Sequence, residues 1–98
     1  MIEFQEPSQK DERRQEPRLP ATGRATLNWS NRAGLQKGTF VDVRNVNQDG
    51  LQVELTEDVE LEPGQSVHLV GEEYQCQGRI RYREQRGPVT VMGIEFAW

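Results

Sequence analysis

From Arg24 onward the chain alternates apolar and polar residues. Ala25, Leu27 and Trp29 fall on one side and Thr26 and Asn28 on the other, the period of a strand with one buried face. Ser30-Asn31-Arg32-Ala33-Gly34 supplies a turn, and a second strand is predicted over Gly38–Val46, with Phe40 opposing Val41 and Val43. Leu51-Gln52-Val53-Glu54-Leu55 alternates without a fault and predicts a third strand. Acidic residues from Glu57 to Glu62 lead into Pro63-Gly64, a turn signal, and Ser66–Val70 then makes a short fourth strand. After Gly71-Glu72-Glu73 comes a long fifth strand, with Tyr74, Cys76, Gly78, Ile80 and Tyr82 on the core face and Gln75, Gln77, Arg79, Arg81 and Arg83 on the other. Gln85-Arg86-Gly87-Pro88 closes a hairpin. In the last strand, Val89–Phe96, the apolar side switches near Gly93, as at a bulge or barrel corner.

Six short strands at near-regular spacing, with no convincing helix, predict an all-β fold: a six-stranded antiparallel β-barrel or a tight sandwich. Closure is the favoured solution because it removes exposed strand edges. Residues 1–23 differ in kind. They contain Pro7, Pro17 and Pro20, many Gln and Glu, and neither a helical nor a strand period, which predicts a flexible N-terminal arm preceding a barrel domain over 24–98. Pro17 biases Glu16 toward extended geometry, so Arg14 and Arg18 are expected in a loop rather than along one helix.

Charge narrows the partners. The net charge is -4, and residues 38–64 carry seven carboxylates against one arginine. Generic nucleic-acid binding, which needs a basic surface to neutralise phosphates, is not expected. A small anionic ligand remains compatible, since a few placed arginines hold one by bidentate, charge-assisted bonds whatever the global charge. The single cysteine, Cys76, rules out an internal disulfide, suits a reducing compartment and falls on the apolar face as core packing. No apolar run is long enough to span a bilayer and the N-terminus has no signal-peptide core, so the expectation is a cytoplasmic protein without membrane insertion. His68 has no metal-ligand partners at suitable spacing, and no nucleophile, base and orienting group stand in a catalytic pattern. No enzyme, metal or cofactor is expected. The Arg79, Arg81, Arg83 stripe reads as a solvated strand face that would rim a ligand only if it adjoined the Asn45 turn. Trp29 and Trp98 read as core or lid residues.

Two motifs carry a functional reading. Arg14 and Arg18 form an R-x-x-x-R element, and Asn45-Val46-Asn47-Gln48-Asp49-Gly50 follows the first two strands as a polar turn ending in glycine. In this order they resemble the signature of the PilZ family, R-x-x-x-R followed by D/N-x-S-x-x-G. Leu61-x-Pro63-Gly64 and Gly93-Ile94-Glu95-Phe96 extend the likeness over most of the chain. The resemblance implies a six-stranded barrel that acts as a bacterial receptor for cyclic di-GMP. It implies that Arg14 and Arg18 hold phosphate and the Hoogsteen edge of guanine, that Arg13 adds a phosphate contact, and that Asn45 contacts guanine. Asn47 stands where the family has serine; its turn chemistry is similar but its side chain is bulkier. Gly50 is expected to permit a positive φ and close approach of ligand or arm. Ligand would order the arm and signal to a downstream protein, in a monomer, because the C-terminal helix of many members has no counterpart before Trp98. The alternative implied by Asn47 is a PilZ-like interaction adaptor that no longer binds cyclic di-GMP.

Overall fold

The computed structural model describes residues 20–97, and these form six strands with no helix. They are β1 (Gly23–Ser30), β2 (Gln36–Arg44), β3 (Gly50–Leu55), β4 (Ser66–Val70), β5 (Gln75–Arg86) and β6 (Val89–Phe96). All neighbours pair antiparallel, and the sheet closes on itself in the order β1-β2-β3-β6-β5-β4. Strand alternation supplies the interior: Leu27, Val41, Val43, Val53, Leu69, Ile80 and Met92 are almost fully buried. Val59 and Leu61, from the acidic connection between β3 and β4, are buried in the same core.

β2 starts two residues earlier than the alternation alone predicts, because Gln36 and Lys37 pair with Ser30 and Trp29 of β1. It ends at Arg44, where Asn45 takes φ 49 and breaks the extended path; asparagine tolerates this left-handed conformation better than most residues.

The phase slip expected in β6 lies instead on β5. Ile80 pairs with Ile94 but Tyr82 pairs with Gly93, so Arg81 is an extra residue bulged out of the ladder opposite Gly93. β6 keeps its phase through Met92 and Ile94. Two side-chain assignments on β5 therefore invert. Tyr82, expected in the core, is 43% exposed. Arg83, expected on the solvated face, turns inward and its guanidinium donates to the Val59 and Leu61 carbonyls, both at 2.8 Å. Arg83 thus anchors the acidic connection across the barrel mouth. Arg83→Met, which keeps the aliphatic bulk but strands both carbonyls, is expected to lower stability by about 1.5–3 kcal/mol in a denaturant melt; an unchanged midpoint would remove Arg83 from that role.

The strand directions divide the barrel into two ends. Gly23, the Asn45–Gly50 turn and the β4–β5 hairpin stand at one end, and the Tyr74 hydroxyl there reaches the Ala21 carbonyl at 3.4 Å. The β1–β2 loop, the acidic connection and the β5–β6 hairpin stand at the other.

Candidate functional site

Asn47 organises the turn between β2 and β3. Its side-chain oxygen accepts from the Asp49 and Gly50 amides at 2.8 and 3.1 Å, and its own amide donates to the Gly50 carbonyl at 2.9 Å. This is an Asx-type turn, the work a serine hydroxyl does at such a position, so the asparagine preserves the local backbone. The Asp49 carbonyl accepts from the Phe96 amide at 2.9 Å, tying the turn to the end of β6.

Gly50 is needed for a different reason from the one expected. Its φ is not positive; the left-handed residue is Asn45. A Cβ on Gly50 would lie 2.1 Å from the Ile94 carbonyl oxygen of the paired strand. Close approach of β6 backbone, not of ligand, demands the glycine.

Beside the turn an open groove of about 510 Å³ runs across the outer face of β3, β6 and β5. Its floor and walls include Asn45, Asn47, Gly50, Gln52, Arg81 and Tyr82. A hydrogen-bonded row spans it: the Asn45 amide nitrogen donates to the Gln52 side-chain oxygen at 2.8 Å, and the Gln52 nitrogen donates to the Tyr82 hydroxyl at 2.9 Å. The Tyr82 ring lies on Gly93, where a Cβ would come within 2.1 Å of it. One side of the ring rests on backbone, its hydroxyl is held, and much of the remainder is open to the groove.

Three of the six sequence-predicted site residues, Asn45, Asn47 and Gly50, are therefore gathered at one rim. Arg13, Arg14 and Arg18 lie outside the described residues. Of the arginine stripe, expected to rim a ligand only if it adjoined the Asn45 turn, Arg81 lines the groove, and Tyr82, expected in the core, joins it there. The signal was the arginine stripe together with Gly93, but its meaning depends on the bulge, which puts Arg81 and Tyr82 on the groove and sends Arg83 inward. Electrostatically the groove is mixed: among the described residues Arg81 is its cation, while Asp49 and Glu95 stand along it. One guanidinium among two carboxylates is a weak home for a doubly charged phosphate ligand, so additional cations must come from beyond these walls.

Other polar chemistry is subdued. Burial pushes the Cys76 thiol up from its ordinary range, which keeps it protonated and poorly nucleophilic. Burial, and then proximity to Cys76, likewise raises the Tyr74 hydroxyl. Among the described residues no three His, Cys, Asp or Glu side chains cluster as a metal site, and no helix is long and apolar enough to cross a membrane.

No curated protein and no solved structure matches the chain. The family model for the PilZ domain matches residues 12–98, a span that takes in both sequence motifs, all six strands and the groove. The chain therefore belongs to the PilZ domain family, whose members are generally receptor domains for cyclic di-GMP and work by binding rather than catalysis.

Proposed function

We propose that this PilZ domain is a cyclic di-GMP receptor whose ligand bridges the groove beside the Asn45–Gly50 turn and the arginines of the N-terminal segment. The observation that carries the reading is the meeting of the turn, Arg81 and Tyr82 at one groove, at the barrel end where the chain enters β1. Gly23 pairs with Val43, two residues before Asn45. Arg18 is five residues upstream of Gly23, so its backbone lies within about 18 Å of that entry point even when fully extended. Arg13, Arg14 and Arg18 are thus within reach of the groove and supply the positive charge its walls lack.

The ligand offers two phosphates and two guanines. Planar guanidinium groups suit both, pairing bidentately with phosphate oxygens or with guanine O6 and N7. Tyr82, with its ring backed by Gly93 and its hydroxyl held by Gln52, offers a fixed surface for a purine, an interaction of about 1–3 kcal/mol per stacked base. Asn45 spends its nitrogen on Gln52 and keeps its carbonyl oxygen for a donor such as the guanine N1–H or N2 amine. Asn47 maintains the turn and leaves its side-chain nitrogen to the groove. Asn47 makes the turn bonds that a serine would make, which supports the receptor reading; the adaptor alternative rests on the greater bulk of the asparagine side chain.

Ordering of the N-terminal segment over the groove would then change the barrel end seen by a downstream protein, the route by which binding becomes signal. This function belongs in the cytoplasm, where a nucleotide second messenger acts.

Amide resonances report the site directly. Adding cyclic di-GMP is expected to shift Asn45–Gly50, Arg81 and Tyr82 while leaving the β1–β2 loop and the β5–β6 hairpin in place. Arg81→Ala is expected to weaken binding by about tenfold, the loss of one charge-assisted contact. Shifts confined to another face, or an Arg81→Ala affinity equal to wild type, would move the ligand away from this groove.

A further inference from the structure

At the barrel end opposite the turn, β2 outruns its neighbour. It is nine residues long, but pairs with β3 only over Asp42–Arg44. Toward β1 it is paired along Gln36–Val43. Backbone direction follows from the hairpin: the Asn31 amide donates to the Leu35 carbonyl, which makes that pair hydrogen-bonded. Antiparallel ladders alternate, so Ser30–Gln36, Asn28–Gly38 and Thr26–Phe40 are the pairs that exchange no backbone bonds. Gln36, Gly38 and Phe40 consequently turn their N–H and C=O groups away from β1, toward the side where β3 has ended. No backbone partner takes them up among the described residues. All three residues are exposed, Phe40 by 66%.

We propose that this open edge of β2 accepts an extended basic segment of a partner protein as an added strand. Exposed edges are templates for strand addition, in which main-chain bonds supply affinity and alternate side chains supply specificity. The two faces of such a strand would meet different surroundings. Partner residues hydrogen-bonded to Gln36, Gly38 and Phe40 place their side chains on the outer face, beside the Phe40 ring, and should be apolar. The intervening residues project to the other face, where a groove of about 450 Å³ between Gly38 and the acidic connection is walled by Glu57, Asp58 and Glu60. Lysine or arginine fits there; among the described residues Lys37 is the one cation lining that groove. A second copy of this chain is a poor occupant, because pairing two β2 edges would bring two acidic connections together. The edge lies at the far end from the ligand groove, and the inference stands apart from the cyclic di-GMP reading.

The test is fluorescence anisotropy with a labelled peptide alternating valine and lysine, against the same peptide with valine and glutamate. The valine–lysine peptide is expected to bind and the glutamate one to fail. N-methylation of the valines, whose amides face Gln36, Gly38 and Phe40, is expected to weaken binding at least about tenfold, while N-methylation of the lysines leaves it nearly unchanged. Exchange of two of the three groove carboxylates, Asp58→Lys with Glu60→Lys, is expected to cost a similar factor. No binding of the unmodified peptide, equal sensitivity to the two methylation patterns, or a concentration-dependent dimer that displaces the peptide would each overturn the proposal.

Discussion

Gly50→Ala is expected to unfold the junction of β3 and β6. The new Cβ would sit 2.1 Å from the Ile94 carbonyl oxygen and 3.2 Å from the Glu95 Cα. Both are backbone atoms of the paired strand, so no rotamer change relieves the overlap. The ladder from Gly50↔Glu95 to Leu55↔Thr90 must open at its first pair, and the Asn47 turn, which closes on the Gly50 amide and carbonyl, loses its anchor with it. A stability loss above about 3 kcal/mol follows, seen as a fall in Tm of more than about 12 °C for a domain of this size. Gly64→Ala is the contrast. Gly64 has φ 94 but nothing within 4 Å of a Cβ, so only the conformational penalty of about 1–2 kcal/mol applies. If the two variants melted alike, steric approach of β6 would not be what Gly50 serves.

Arg14→Ala or Arg18→Ala is expected to abolish most cyclic di-GMP affinity with the barrel intact. Bidentate guanidinium contacts to phosphate or guanine contribute about 1.5–3 kcal/mol each, so a single substitution should weaken binding by roughly 10- to 150-fold, and the pair should remove it at accessible concentrations. The strands of the described barrel begin downstream of both positions, at Gly23, and the melting temperature without ligand should not move. Arg14→Lys should restore little, because an ammonium group keeps the charge but not the planar fork. Full rescue by lysine would mean that the groove needs only positive charge nearby; undiminished affinity of the alanine variants would place the ligand elsewhere.

Much of this architecture is legible in the sequence because strand alternation and turn chemistry are local. Leu51–Leu55 and Ser66–Val70 are readable from period two alone, and the Asx turn at Asn47 follows from asparagine's short side chain. What resists reading is set across strands. The bulge at Arg81 exists because two strands of unequal residue count pair around it, and nothing local distinguishes Arg81 from Arg79 or Arg83. That one residue decides that Tyr82 faces the groove and that Arg83 braces Val59 and Leu61. Gly50 was legible as a required glycine, but the reason, the carbonyl of Ile94 more than forty residues away, was not. The open edge of β2 is likewise invisible locally, since it arises from β3 ending first.

Isothermal titration of the purified protein with cyclic di-GMP, with GTP as control and at near-physiological salt, tests the central claim most directly. The account predicts saturable binding in the micromolar range or tighter, absent with GTP, at one ligand per chain or two if the ligand binds as a stacked pair. No heat, together with no rise in melting temperature at high ligand, would contradict it and leave a PilZ barrel that serves as an interaction adaptor.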